Sequence, residues 1–154
     1  MTAPQLQTRY VFTLAIQVGA PIVAGDFGHG LRRVIPILGG EVIGEGLHGT
    51  ILPVGADFQI IRPDGFTELE AKYAFELDDG AVVYIENIGI RFGPKDALDR
   101  IAKGEAVDPA QIYFRSVPKF ETGAAKYRWL MQNLFIGVGA RHPDRVELDV
   151  HQVL

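Results

Sequence analysis

The chain has 154 residues, 47% of them hydrophobic and 22% charged, which is the composition of one globular domain with an apolar core. Its formal net charge of −4 argues against nucleic-acid binding, and the absence of cysteine excludes disulfides, thiolate metal sites and cysteine nucleophiles. With no membrane-length apolar run and no basic start to a secretory signal, we expect a single cytoplasmic domain over residues 1–154 without a membrane partner.

Glycine- and proline-rich turns separate short runs rich in Val, Ile, Tyr and Phe along the whole chain. This spacing is typical of an all-β sandwich or barrel. The first run, "YVFTLAIQV", alternates in the manner of a half-buried antiparallel strand. The residues predicted on its buried face are Tyr10, Phe12, Leu14, Ile16 and Val18.

The glycine-rich stretch "GEGLHG" has the spacing of a dinucleotide-binding fingerprint at Gly44, Gly46 and Gly49. Because the following residues read as strand and turn, no helix N-terminus is expected there to hold a pyrophosphate, and we reject nucleotide binding. His48 lies within this stretch and is either a proton carrier or a hydrogen-bonded strand histidine. None of the four histidines has metal-ligand spacing, and neither a metal nor a cofactor is predicted.

Asp57, in "VGADF", follows a glycine at the entrance to a strand. It is a candidate general acid or base if its carboxylate enters an apolar cavity, where burial favours the protonated form. The alternative is a turn aspartate that caps its own backbone.

The run "LEAKYAFEL" predicts a half-buried strand, and "DDG" predicts a tight hairpin turn after it. Its inward face is expected to comprise Leu69, Ala71, Tyr73, Phe75 and Leu77. The next run, "AVVYIENIGI", has apolar residues on both of its faces, so we expect either a central strand or a strand buried on both faces. Asn87 interrupts this apolar run and needs partners from the backbone or from a ligand.

Two short helices are predicted in the second half of the chain. The first covers "PKDALDRIAKGE", with Leu98, Ile101 and Ala102 on one face. The second covers "TGAAKYRWLMQN", capped by Thr122, with an apolar face that comprises Tyr127, Leu130 and Met131. Trp129 in this segment is expected in the core or in a pocket wall.

The segment "YFRSVPKFET" between these helices places Arg115 and Glu121 in apolar surroundings. A buried guanidinium needs a carboxylate, a carbonyl or an anionic ligand. Arg115 therefore either pairs with Glu121 or Asp57 or binds a ligand. Alternation puts Arg115 on the same face as Tyr113, so the two enter the lumen together or leave it together.

The strings "GADF", "DGAVVYIENIG", "YFRSVPKFET" and "YRWL" with the following "FIGVG" resemble the DUF3237 family, also called UPF0311. The resemblance extends from about Tyr10 to the C-terminus. It implies a compact, calycin-like antiparallel β-barrel with one or two short helices. It implies little about activity.

A small barrel holds either its own side chains or one small ligand in its lumen. We predict a ligand-binding barrel that acts as a cofactor-independent lyase, isomerase or cyclase on a small carbonyl or phenolic compound. Asp57 or Glu121 would move the proton, and Arg115, with Asn87 or Tyr73, would stabilise the developing oxyanion. Tyr73, Trp129 and His48 complete the predicted ligand-binding set.

Two alternatives use the same residues. A non-catalytic carrier or sensor of a small apolar or aromatic ligand needs the cavity but no proton transfer. A structural barrel would fill its lumen and would use Arg115 and Glu121 as an internal ion pair, with no cavity of ~300 Å³ or more. Exposed strand edges also lead us to expect a homo-oligomer.

Overall fold

A computed structural model describes residues 1–154 and contains ten strands, one α-helix and two 3₁₀ segments. The strands are β1 (Thr8–Val18), β2 (Ile22–Asp26), β3 (Leu31–Ile43), β4 (Gly49–Ile51), β5 (Ala56–Ile61), β6 (Thr67–Leu77), β7 (Val82–Phe92), β8 (Tyr113–Glu121), β9 (Phe135–Arg141) and β10 (Arg145–Val153). The helical segments are α1 (Lys95–Ala102) and the 3₁₀ segments Pro109–Gln111 and Ala125–Met131.

The sheet closes on itself because β1 pairs with β10 on one side and with β3 on the other. Strands β4 and β5 are short and share one place in the ring, since each pairs with both β3 and β6. The remaining neighbours follow in chain order from β6 to β10, and β2 pairs only with β3. The result is a closed antiparallel barrel with eight strand positions, which confirms the predicted fold.

Strand β3 reaches both halves of the ring because it bends at Gly39 and Gly40, where φ is +145° and +140°. These values lie outside the usual range of residues with a Cβ atom. A Cβ atom at Gly40 would also overlap the carbonyl of Ala15 on β1. The glycine pair therefore lets one strand turn the barrel corner and pair with β1 as well as β5.

Alternation predicted the inward face of β6, where Leu69, Tyr73, Phe75 and Leu77 are buried. On β1 the prediction fails at Tyr10, which is 49% exposed. A register irregularity between Tyr10 and Phe12 shifts the pairing with β10 by one residue. Such a bulge sends the flanking side chain to the opposite face.

Strand β7 is a central strand, since it pairs with β6 and β8, but the alternative that both of its faces are buried is wrong. Val83 and Ile85 face the lumen, but the outward residues remain exposed, Ile88 to 60% and Phe92 to 47%. A closed barrel of one sheet has no second layer to cover this face. The outward side of β8 is also apolar, and Val117 there is 49% exposed. This surface on β7 and β8 is the one through which the predicted homo-oligomer would pack a sheet face.

Helix α1 lies against one end of the barrel and ends before Gly104, which has a φ of +78°. Ala97, Leu98 and Ile101 are buried, so Ala97 takes the place predicted for Ala102. The second predicted helix is a 3₁₀ segment with non-helical backbone angles inside it. None of the helical segments is long and apolar enough to cross a membrane.

Candidate functional site: a polar cluster in the barrel lumen

The barrel lumen divides into an apolar half and a polar half. The apolar half is filled by packed aromatic rings, such as Phe120, which lies 5.7 Å from Phe12 and 5.3 Å from Phe135 between ring centroids. The polar half lies towards α1 and contains a cavity of about 50 Å³, room for about three or four water molecules. Its polar lining residues are Asp57, Gln59, Tyr73, Asn87, Arg91, Ser116 and Arg141, and Arg33 adjoins it through a hydrogen bond to Gln59.

Asp57 is the one carboxylate of this cluster, and it does not cap its own turn. Its Oδ1 accepts a hydrogen bond of 3.2 Å from the backbone N–H of Glu70 on β6, and its Oδ2 accepts one of 2.9 Å from Nε2 of Gln59. Burial raises the pKa of Asp57 above its ordinary value, and the Gln59 hydrogen bond and the nearby Arg91 charge only partly offset this effect. Asp57 is therefore a stronger base than an exposed aspartate.

Arg33 is joined to Asp57 through Gln59. Nη2 of Arg33 donates to Oε1 of Gln59 at 3.1 Å, while Nη1 donates to the backbone oxygen of Ala102 at the end of α1, at 3.3 Å. The Nε–H of Arg33 is buried without a protein acceptor. Burial lowers the pKa of Arg33, and the charge of Asp57 opposes that shift. The network holds Gln59 in one orientation, with its amide N–H₂ towards the carboxylate.

Arg91 is the least satisfied charged group in the protein. It is 3% exposed, its Nε–H has no acceptor, and its side chain takes part in no hydrogen bond or ion pair within the chain. Its guanidinium carbon lies 5.9 Å from the centroid of the Phe114 ring, at the edge of the range for a cation–π contact. Burial lowers the pKa of Arg91 to about 10, despite the opposing attraction of Asp57.

Arg141 completes the charged cluster from β9. Its Nη1 donates to the backbone oxygens of His142 and Arg145, which fixes the side chain within its own hairpin. Burial lowers the pKa of Arg141, and the nearby charge of Arg33 lowers it further. Three guanidinium groups thus surround one carboxylate, and the cluster has a formal charge of +2 in a poorly solvated space.

Three neutral side chains point their polar atoms into the same space without protein partners. They are the hydroxyl of Tyr73, the amide oxygen of Asn87 and the hydroxyl of Ser116. Burial, followed by the charge of Asp57, raises the pKa of Tyr73, so its phenol remains a hydrogen-bond donor at neutral pH. Buried polar atoms are rarely left unpaired in proteins, and a cluster of them in one cavity indicates a ligand site.

The structure brings together only some of the residues that the sequence suggested. Asp57, Tyr73 and Asn87 line the cavity. The expectation that Glu121 shares the cavity with Asp57 is wrong, because Glu121 is exposed on the outer face of β8. Arg115 leaves the barrel with Tyr113: it donates to the backbone oxygen of Phe114 at 2.9 Å and stacks 5.1 Å from the Tyr113 ring. The internal Arg115–Glu121 pair of the structural-barrel alternative is therefore absent.

Trp129 and His48 also lie away from the cavity. Trp129 is half-buried and packs 6.0 Å from Phe135 beside the apolar half of the lumen. His48 is exposed, and its two ring nitrogens lie 2.9 Å from carboxylate oxygens of Asp78 and Glu41. These carboxylates raise the pKa of His48. It matches the hydrogen-bonded strand histidine better than the proton carrier for a lumenal ligand.

Sequence reasoning missed the three arginines. A signal was available, since every second residue of a strand faces the same side. Arg91 is therefore on the same face of β7 as the apolar Val83 and Ile85 and the candidate Asn87. The same counting from Ile35 reaches Arg33. Arginines near strand ends are usually solvated, and only ring closure shows that these strand ends face one another.

A second pocket of about 340 Å³ lies outside the polar end of the lumen. It shares Val18 and Arg141 with the inner cavity, so these two residues stand at the boundary between the two spaces, and Arg33 lines the outer pocket. The inner cavity by itself is smaller than the ~300 Å³ expected of a ligand site, as the structural-barrel alternative predicts, whereas the outer pocket alone reaches the lower end of the range for small ligands.

Comparison with known proteins gives full-length matches. The model of the family described as "Protein of unknown function (DUF3237)" matches residues 6–153. The UPF0311 protein RPA1785 of Rhodopseudomonas palustris is 64% identical over 151 residues, which cover 98% of this chain and 99% of the relative. Its crystal structure has a TM-score of 0.94 and 62% identity, covering 99% of this chain and 100% of that chain.

Two further solved structures have the same fold. A beta-barrel like protein from Acinetobacter baumannii AYE is 34% identical, with a TM-score of 0.87 and 99% of each chain covered. A protein from Penicillium herquei, described as an enzyme, has a TM-score of 0.74 over 100% of this chain and 99% of its own. At 17% identity the last comparison shows a shared fold alone.

Proposed function

Because the chain belongs to the DUF3237 family, also named UPF0311, and folds as a barrel with a polar lumenal cavity, we propose that the cavity is a catalytic site. The reaction is a proton transfer next to a carbonyl or phenol, as in a cofactor-independent isomerase, lyase or cyclase. The observation that carries this proposal is that one cavity brings together Asp57, a half-buried carboxylate, and Arg91, a buried cation whose Nε–H has no acceptor in the protein.

Asp57 acts as the general base. One carboxylate oxygen takes a proton from the carbon next to the substrate carbonyl, and the C–H electron pair moves into the adjacent bond while the carbonyl oxygen becomes an enolate. In a substrate with a β,γ double bond, the enolate is conjugated with that bond, and the same carboxyl returns the proton to the γ-carbon while the double bond moves to the α,β position, which completes an isomerisation. In a lyase or a cyclase, the enolate instead expels a group from the β-carbon or attacks an internal electrophile. General-base catalysis of this type contributes about 10²–10⁴-fold in rate.

Arg91 stabilises the enolate oxygen. Its N–H groups have no competing protein acceptor, so a developing negative charge gains their full hydrogen-bonding capacity. The hydroxyls of Tyr73 and Ser116 are further donors in the same cavity. A donor that is already oriented needs no reorganisation during the reaction, and removing one such donor typically costs about 10²–10³-fold in rate.

The fold is compatible with this proposal. The Penicillium herquei protein with the same barrel is described as an enzyme, so the architecture is found among catalysts. That comparison is too distant to transfer an activity or any residue role. The support for catalysis in this chain is the chemistry of its own cavity.

A carrier or sensor is the second candidate. The unpartnered donors of Arg91, Tyr73 and Ser116 would hold a small ligand even if Asp57 moved no proton. The two functions differ in one observable, because a carrier returns its ligand chemically unchanged and without exchange of hydrogen with the solvent.

Hydrogen exchange tests catalysis without knowledge of the natural product. Butyrophenone and 4-oxo-4-phenylbutanoate are incubated with the protein in D₂O, and loss of the α-hydrogen signal is followed by NMR. We expect exchange above the buffer rate, reduced by about 10²-fold or more in Asp57→Asn. Glu121→Gln is the matched control, since this carboxylate lies outside the barrel.

Two results would contradict the catalytic proposal. One is exchange that is equal in Asp57→Asn and in the unmodified protein. The other is binding of either ketone, seen as a thermal shift, with no exchange above the buffer rate. The second result supports the carrier instead.

A further inference from the structure

We propose that the natural ligand is a small carboxylate, whose anionic group is held by Arg33 and Arg141 at the mouth of the cavity while its reactive end reaches Asp57 and Arg91. This inference rests on the proposed function, because it assigns the substrate class of the same site. It concerns the two arginines that the proton-transfer step itself does not use.

The first support is charge. The lumen holds three guanidinium groups and only one carboxylate, which is itself destabilised by burial. Burial of unbalanced charge is unfavourable, and proteins that maintain it usually bind the missing counter-charge. A monocarboxylate would lower the formal charge from +2 to +1. Proton transfer from ligand to Asp57 would then leave that total unchanged, since the enolate gains the charge that Asp57 loses.

The second support is the placement of donors. Arg33 is 8% exposed and uses only its two terminal nitrogens on protein acceptors, which leaves its buried Nε–H free. Arg141 uses only Nη1, so its Nε and Nη2 have no protein acceptor. The planar fork of a guanidinium matches the two oxygens of a carboxylate, and this pairing is among the strongest hydrogen-bonded contacts in proteins.

The third support is position: Arg141 lines both the inner cavity and the outer pocket of about 340 Å³, and Arg33 lines the outer pocket while it binds Gln59 of the inner cavity. A ligand held there by its carboxylate extends inward along apolar walls that include Ile35 and Leu148. Asp144 also lines the outer pocket, but its carboxylate lies 3.4 Å from Nη1 of Arg145 and so has a partner of its own. Lys103 on the rim adds a positive charge that attracts an anion.

Matched ligand pairs test the inference. Benzoate, phenylacetate and 4-oxo-4-phenylbutanoate are compared with their methyl esters by calorimetry and by NMR titration of the unmodified protein. We expect at least one acid to bind about 10-fold or more tightly than its ester. Equal affinity of acids and esters, or no binding by any of the acids, would overturn the proposal.

Variants locate the anion. Arg141→Gln should weaken acid binding about 10-fold or more and leave ester binding within about two-fold, because a charge-assisted contact is lost while the apolar walls remain. Arg145→Gln is the control on the same hairpin, since Arg145 pairs with Glu147 and lines neither space. Equal effects of Arg141→Gln on acids and esters would also overturn the proposal, and the comparison within the unmodified protein does not depend on folding of the variant.

The outcomes separate this inference from the catalytic proposal. Selective acid binding without Asp57-dependent exchange would refute catalysis and leave the ligand class standing. Asp57-dependent exchange of butyrophenone, together with equal affinity for acids and esters, would refute the ligand class and leave catalysis standing.

Discussion

Replacing Arg91 by methionine should stabilise the barrel, although it removes a charged residue from the centre of the site. Methionine has about the length of arginine and no charge, and it adapts to irregular apolar space. Arg91 is 3% exposed and has no hydrogen-bond or ion-pair partner in the chain. Its charge is therefore desolvated without compensation from a hydrogen bond or an ion pair.

The pKa of Arg91 gives the magnitude. Burial lowers it from an ordinary value of 12.5 to about 10, and at about 1.4 kcal/mol for each pKa unit the difference corresponds to about 3 kcal/mol. Since the folded pKa is the lower one, the charged side chain destabilises the fold fully at any pH below about 10. The destabilisation disappears as the pH rises from about 10 towards 12.5.

Part of this gain is offset when Arg91 is replaced. The substitution removes the contact with the Phe114 ring, whereas the attraction between Arg91 and Asp57 is already contained in the pKa of about 10. We therefore expect Arg91→Met to increase the free energy of unfolding by about 1–3 kcal/mol at pH 7. At about 2–4 °C for each kcal/mol in a domain of this size, the melting temperature should rise by about 2–12 °C.

Urea unfolding followed by the fluorescence of Trp129 provides the measurement, because this is the only tryptophan and it packs against the core. An unchanged slope with a shifted midpoint would show that native stability changed. Arg128→Met is the control: Arg128 is exposed on the 3₁₀ segment Ala125–Met131, and its replacement should change stability by no more than about 0.5 kcal/mol.

A loss of more than about 1 kcal/mol in Arg91→Met, with Arg128→Met near neutral, would refute the reasoning. It would mean that the guanidinium stabilises the barrel and is not kept there for a ligand. A more stable variant that has also lost ketone exchange would show the trade-off expected of a functional side chain, namely stability given up for activity.

Two pH dependences should accompany these effects. Because burial raises the pKa of Asp57, the rate of hydrogen exchange should increase with pH through a midpoint above 3.8, and the free energy of unfolding should fall over the same interval. Asp57→Asn should abolish both changes. An NMR titration midpoint of Asp57 below 3.8 would contradict a pKa that burial raises. Hydrogen bonds to Glu41 and Asp78 raise the pKa of His48, so its stabilising contribution is complete below 6.5 and is lost as pH rises through the folded value. An NMR titration should place the His48 midpoint above 6.5 and lower it in Glu41→Gln, and a midpoint at or below 6.5 would contradict the contact geometry.

Local pattern was sufficient for most of the strands and turns. The period of two in "LEAKYAFEL" identified the inward side of β6, and Asp79–Gly80 forms the predicted turn, with Gly80 at a φ of +87°. The failures have local causes that the pattern does not contain. A bulge beside Tyr10 reverses the face of one residue, and the Ala125–Met131 segment takes 3₁₀ geometry.

The candidate site was predicted only in part. Asp57, Tyr73 and Asn87 were chosen because they are polar groups within apolar strands, and all three line the cavity. Glu121 and Arg115 were chosen by the same rule and lie outside. Alternation separates the two faces of a strand but does not say which one is the lumen when both contain apolar residues, as in β8.

The sequence by itself determined an antiparallel β protein, the positions of its turns and the side chains that share each strand face, because these properties depend on neighbours within a few residues. Only the tertiary structure decided that the polar end of the lumen is built from Arg33, Asp57, Arg91 and Arg141. These residues lie on four strands far apart in the chain, and ring closure through the β1–β3 pairing brings them to one end of the barrel. Their shared excess of positive charge exists only after that closure, since no local segment contains it.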